Sequence, residues 1–394
     1  MLTGMFYKEN EMKDTSIGKV PHDWTVATLN SLVRLIMGQS PPSSTYNKEG
    51  VGLPFLQGKM EFGDIHPHPM VYCSNPLKVA EQNDVLMSVR APVGDVNLAP
   101  YRLCIGRGLA AIRFDEKVAN HMFYFYVLQR IKSSIERIGK GSTFKALVKG
   151  DLESLNVVLP PRQEQQQIAE ILSTADKAIQ KTNEIIVKTE RLKKGLMQQL
   201  LTRGIGHKEF KDTEIGRIPK DWELVRLGDR ITLQRGYDLP DKQRKNGQIP
   251  VIGSNGIVGY HNTCMAKGPG VVIGRSGTLG KVYYSETNYW PLNTSLFVKK
   301  FTSCHPRFVY YMFQNFDFKQ FSAGTSVPTL NRNLVHPTKV AFPRSLDEQL
   351  KIAEILSTVD KKLELERKEK TKLEKAKQGL MYLLLMGKIR IKVD

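Results

Sequence analysis

Cysteine is scarce and scattered in this chain of 394 residues: Cys73, Cys104, Cys264 and Cys304 are its four, and no two form a C-x-x-C pair. That spacing argues against a zinc ribbon or a disulfide framework and fits a reducing cytoplasm. Long apolar runs are also missing, so no transmembrane span is expected. The opening MLTGMFYKENEMKD lacks the basic-then-apolar order of a secretion signal, and a soluble intracellular protein is expected. Acid is in deficit: 58 lysines and arginines face 39 aspartates and glutamates, a formal charge of +19. Such a balance attracts a polyanion, with nucleic acid the first candidate and an acidic protein partner still open.

Catalytic parts are absent as well. There is no Asn-Pro-Pro-Tyr or Asp-Pro-Pro-Tyr segment to grip an exocyclic amine, and no glycine-rich turn of the kind that opens a cofactor-binding α/β methyltransferase. The nearest thing to a phosphate loop, GRSGTLGKV at 274–282, has one residue too many between Gly274 and Gly280, with Val282 where Ser or Thr would hold magnesium. His66 and His68 flank a proline without a nearby ligand set, and Pro240-Asp241 lacks the downstream Glu-x-Lys of a nuclease core. No catalytic residue, bound metal or cofactor is expected.

What the sequence does contain is itself, twice. Residues 14–24 read DTSIGKVPHDW and residues 212–222 read DTEIGRIPKDW, an offset of 198; IAEILSTAD at 168–176 returns as IAEILSTVD at 352–360, offset by 184. One unit is duplicated, and its second variable stretch is 14 residues shorter.

The repeated segments carry a coiled-coil period: Ile168, Leu172, Ala175, Ile179, Thr182, Ile186, Thr189, Leu192, Leu196 and Leu200 in one copy, and Ile352, Leu356, Val359, Leu363, Leu373, Leu380 and Leu384 in the other. Glu366 and Lys370 interrupt the second stripe. Each helix follows a proline-bearing segment, and glycines (Gly204 and Gly206, then Gly387) end them. The variable stretches hold short β-type runs, VLMSV (85–89), VVIG (271–274) and SLFVKK (295–300), and close on aromatic helices at 121–131 and 307–316.

The expected fold is mixed α+β: two globular α/β domains joined by two long antiparallel helices, with an internal pseudo-two-fold duplication. Its divisions are 1–160, a first helical repeat at 161–205, a second domain at 206–343 and a second helical repeat at 344–394. Two unlike domains related by an approximate two-fold suit DNA, whose own pseudo-two-fold axes let each domain read a few base pairs while the helices fix the spacing.

The order of I-G-x-x-P-x-D-W, a basic glycine turn (Arg90 to Gly94, Arg275 to Gly280), a G-S-T or G-T-S segment, a proline-E-Q element and I-A-E-I-L-S-T-x-D resembles the specificity subunits of type I restriction-modification systems, over essentially the whole chain. The resemblance implies two target-recognition domains reading a split, asymmetric double-stranded target. It further implies two methyltransferase subunits docked on the helices and motor-nuclease subunits joining that core. S-adenosylmethionine, ATP and magnesium would belong to those partners. A protein-binding scaffold, or a fragment of a fused restriction-methylation enzyme, stays open as an alternative.

Base contacts cannot be carried over from the family, so DNA-binding candidates come from chemistry: Arg and Lys for phosphate and guanine, Asn and Gln for adenine, Ser and Thr for phosphate. In the first domain these are Gln57, Lys59, Ser88, Arg90, Arg107, Lys140, Ser142, Thr143 and Lys145. In the second they are Arg235, Tyr237, Ser254, Asn255, Arg275, Ser276, Thr278, Lys281, Thr325, Ser326, Asn331 and Arg332. Arg90 and Arg275 could instead pair with internal carboxylates, the Gly-Ser-Thr segments could be helix caps, and Tyr237 could belong to a core. For partner docking the candidates are the repeated residues Glu164, Gln165, Ile168 and Glu170, with Glu348, Gln349, Ile352 and Glu354, read as exposed; a bare spacer is the alternative.

Overall fold

In the computed structural model, which describes residues 6–139, 146–323 and 328–392, the fold is mixed α+β. The chain divides into two compact units, residues 1–182 with 369–394, and residues 183–368. Two helices are long, Arg162–Arg203 and Leu346–Leu385. Each unit therefore combines one β-rich domain with half of each long helix.

In the first unit Ile168, Ala169 and Leu172 share a core with Leu384 and Leu385, so the start of one helix lies against the end of the other. In the second unit the pairing is between Leu196 and Leu200 and the trio Ile352, Ala353 and Leu356. Both long helices stop at a left-handed glycine, Gly204 at φ +64° and Gly387 at φ +62°. A Cβ on Gly387 would stand 2.2 Å from Pro21 Cγ, which leaves room for glycine only. The apolar stripe departs from the sequence pattern at one place: Leu192 is 56% exposed, while Lys193 turns inward and sets its Nζ 2.7 Å from Asp360.

The main sheets of the two units have one strand order. The first runs Val96–Leu98, Val85–Ser88, Leu109–Phe114, Val33–Met37, and the second Val282–Ser285, Gly270–Gly274, Ser295–Phe301, Ile231–Arg235, antiparallel throughout. Their central strands are apolar without alternation because both faces are covered: Val85 and Met87 enter one core and Leu86 another, as do Val271 and Ile273 against Val272. Beside each lies a smaller sheet, five-stranded in the first unit and three-stranded in the second. The aromatic helices are His121–Arg130 and Pro306–Gln314. The chain's beginning and end meet in the first unit, where Phe6–Lys8 pairs antiparallel with Ile389–Ile391.

Candidate nucleic-acid interface and helix junctions

A seven-residue turn follows the strand Val85–Ser88 in one unit and the strand Gly270–Gly274 in the other. Gly94 N donates to Ser88 O, and Gly280 N to Gly274 O, each at 2.9 Å. The stretch 274–282 is thus a β-hairpin turn leading into Val282–Ser285, not the strand-to-helix loop that cradles a nucleotide. Val89 N bonds Gly108 O and Arg275 N bonds Thr294 O, both at 2.9 Å, so Arg275 is the counterpart of buried Val89, and Arg90 that of Ser276. The two arginines are one residue out of step.

Each turn nevertheless gathers arginines. In the first unit Arg90 and Arg107 are exposed on neighbouring segments, and among the described residues neither has a carboxylate partner. Exposed Gln57 lies beside them, its Nε2 2.9 Å from Ser40 Oγ, which also accepts from Arg107 N at 3.2 Å. A Cβ on Gly106 or Gly108 would come within 2.8 or 2.6 Å of Gln57, so this approach requires glycine.

In the second unit Arg235 pairs with Leu296 and Arg275 bonds Thr294, which places both guanidinium-bearing residues around the start of one strand. Burial, then the neighbouring Arg235, push the pKa of Arg275 down, and neither arginine has a carboxylate among the described residues. Exposed Lys281 and Arg332 extend the cationic character; Arg332 Nη1 bonds Leu233 O at 3.3 Å.

Several sequence candidates have structural work instead. Ser88 is buried, donating to Pro92 O at 3.0 Å and accepting from Asp95 N at 2.9 Å, so it holds the turn together and cannot reach DNA. Ser254 is likewise buried. Lys59 is held by Asp95 at 2.5 Å, as is Lys132; burial raises the Asp95 carboxyl, but the two lysines outweigh it and leave its pKa low. Tyr237 packs at a core edge against Trp290 and Phe297, and Asn331 caps a short helix by accepting from Asn333 N at 3.0 Å. Asn255 and Thr278 bond each other, and half-buried Ser276 pairs with Thr329 through the backbone. Lys140, Ser142, Thr143, Lys145, Thr325 and Ser326 lie outside the described residues.

The docking candidates need the larger correction. Glu164, Gln165, Ile168, Gln349 and Ile352 are buried, because the repeated motif fastens each β-rich domain to its helices. Gln165 accepts from Asn120 N and Gln349 from His305 N, both at 2.8 Å, capping the aromatic helices. The other ends of these amides bond Pro160 O and Pro343 O at 2.9 Å. Tyr126 donates to Asp176 at 2.7 Å and Tyr311 to Asp360 at 2.9 Å, and lysines complete both sets, Lys377 on Asp176 and Lys193 on Asp360. Glu348, on the second copy, accepts from Trp222 at 3.2 Å and meets His207 at 2.8 Å. Only Glu170 and Glu354 of the eight are exposed.

A family model, the type I restriction modification DNA specificity domain, matches residues 21–191 and again 219–375. The chain belongs to the type I restriction-modification specificity subunits. Subunits of this family are non-catalytic and carry no cofactor. The specificity subunit of the MjaVIII type I restriction enzyme of Methanocaldococcus jannaschii is 28% identical over 418 aligned positions, covering 98% of both chains. That of MjaX, from the same organism, is 48% identical over 204 residues, about half of each chain (51% of this one, 48% of the other). The crystal structure of the type I S subunit from M. genitalium shares the fold, with a TM-score of 0.67 at 20% identity over 92% of this chain and 96% of that one. Among the described residues no helix is long and apolar enough to cross a membrane, and no cluster of three or more His, Cys, Asp or Glu could hold a metal ion.

Proposed function

We propose that the arginine-bearing turn end of each sheet is the face this specificity subunit lays on DNA, with residues 1–160 reading one half of a split, asymmetric double-stranded target and residues 206–343 the other. The observation that carries this is a pair of arginines without a carboxylate partner among the described residues at the same turn end of each of two sheets of one topology, Arg90 with Arg107 and Arg235 with Arg275, from positions that are not themselves equivalent. A guanidinium without a counter-charge among the described residues, with Gln57 or Asn255 in the same region, is what phosphate and base-edge recognition requires.

The helical segments 161–205 and 344–394 set the unread spacer and receive two methyltransferase subunits through exposed helix positions such as Glu170 and Glu354. Motor-nuclease subunits join through that complex. S-adenosylmethionine, ATP and magnesium act on the partners, and the assembly works in the cytoplasm.

The test is a titration of the complex with its target duplex at several salt concentrations. Arg275→Ala and Arg90→Ala should each weaken binding, and a lost phosphate contact should lower the log–log salt slope by about one. Unchanged affinity and slope in both variants would refute this placement of the DNA face.

A further inference from the structure

Each domain carries a large apolar side chain in water shortly beyond a matched position near its arginines. Gly106 N bonds Leu56 O and Leu292 N bonds Ile252 O, each at 2.8 Å, so the segments following Leu56 and Ile252 are counterparts and Lys59 matches Asn255. From that matched position each segment is tied to the arginine turn, by Lys59 to Asp95 and by Asn255 to Thr278. Met60, 92% exposed, stands next past the tie in the first domain; in the second its counterpart is Gly256, and Ile257 and Val258, 58% and 43% exposed, follow that glycine. None of the three belongs to a hydrophobic core formed among the described residues.

We propose that Met60 in the first domain, and Ile257 with Val258 in the second, read thymine by covering its 5-methyl group in the major groove; this rests on the DNA face argued above. A single exposed apolar residue needs no explanation, but exposed apolar side chains just beyond the matched, tied position in both of two domains with otherwise different loops do. A phosphate-facing surface gains nothing from Met, Ile or Val. On base edges in the major groove, the apolar group available to them is the thymine methyl. The ties of Lys59 to Asp95 and of Asn255 to Thr278 hold these segments beside the arginine turns, so cations can position the backbone while the apolar groups meet the bases.

The experiment uses the specificity subunit in complex with its methyltransferase subunits and the target first identified by mapping methylated bases. Duplexes are made in which each thymine of the target is replaced singly by uracil, which removes the methyl group alone. In each half-site one replacement should weaken binding about fourfold, the factor for one buried methyl-sized group. Met60→Ala should erase that sensitivity in the half-site of the first domain only, and Ile257→Ser with Val258→Ser in the other only, while Met60→Leu retains it. Half-sites without a uracil-sensitive thymine, or sensitivity unaltered in these variants, would overturn the proposal. So would a Met60→Ala complex that binds DNA normally but assembles poorly, which would make the patch a protein contact. Failure of the underlying reading is seen separately, as wild-type affinity and salt dependence in Arg90→Ala and Arg275→Ala.

Discussion

The indole Nε1 of Trp24 donates to Glu164 Oε2 at 2.9 Å, and Trp222 repeats the bond to Glu348 at 3.2 Å. Around each pair a basic residue from the tail of a long helix closes the junction. Arg390 bonds Glu164, Asp23 and Glu9 at 2.6 to 2.9 Å, and in the second unit His207 bridges Glu348 at 2.8 Å and Asp221 at 3.7 Å. A sequence motif that looks like a surface address is the fastening between sheet domain and helix.

Glu164 and Arg390 are both nearly buried, and removing Glu164 takes from Arg390 its most buried carboxylate, leaving Glu9 and Asp23, and takes from the Trp24 indole its acceptor. Glu164→Ala should cost about 3 kcal/mol or more in urea unfolding, while the exposed Glu170→Ala should change stability by no more than about 0.5 kcal/mol. Equal effects would show that the junction carries no special weight.

Acid should open the same junction. Asp23 is held below its ordinary value chiefly by Arg390, and Glu9 by the Glu11 amide, with burial opposing and Arg390 assisting. Both folded values are depressed, so their stabilisation is complete above the unfolded values near 3.8 and 4.5 and is lost as pH falls below them. Glu9 should dominate, because Asp23 is more than half exposed. Melting temperatures from pH 6 to pH 3 should fall less steeply in Arg390→Met than in the parent; parallel curves would contradict this.

Lys193, which breaks the apolar stripe, should matter more than the leucine beside it. Lys193→Ala leaves Asp360 with Tyr311 alone and should cost about 1–2 kcal/mol, whereas Leu192→Ala, at a position 56% exposed, should be nearly silent. Denaturant midpoints of the two variants decide the point, and the reverse order would restore the stripe as the sequence has it.

The duplication, the long helices and the β-rich domains were legible because they rest on local identity and periodicity. VLMSV and VVIG are strands, and Gly204 and Gly387 end helices, as their chemistry requires. Alignment of Arg90 with Arg275 was misplaced by one residue, because spacing to a glycine does not reveal which residue a neighbouring strand pairs with. The docking surface was misjudged for a related reason. Glu164 meets Trp24 across 140 residues of sequence, and a period of four and three cannot tell a polar residue buried by such a partner from one in water. Nothing in the sequence marks Ser40, which ties Gln57 to the backbone of Arg107.

The central claim is that each β-rich domain reads its own half of a split target. Co-expression with the methyltransferase subunit, followed by single-molecule mapping of modified bases, tests it directly. The account predicts a bipartite, asymmetric motif with a fixed gap, of which exchanging residues 1–160 for those of another specificity subunit alters one half alone. A motif that changes in both halves, or methylation that ignores the exchange, would contradict it.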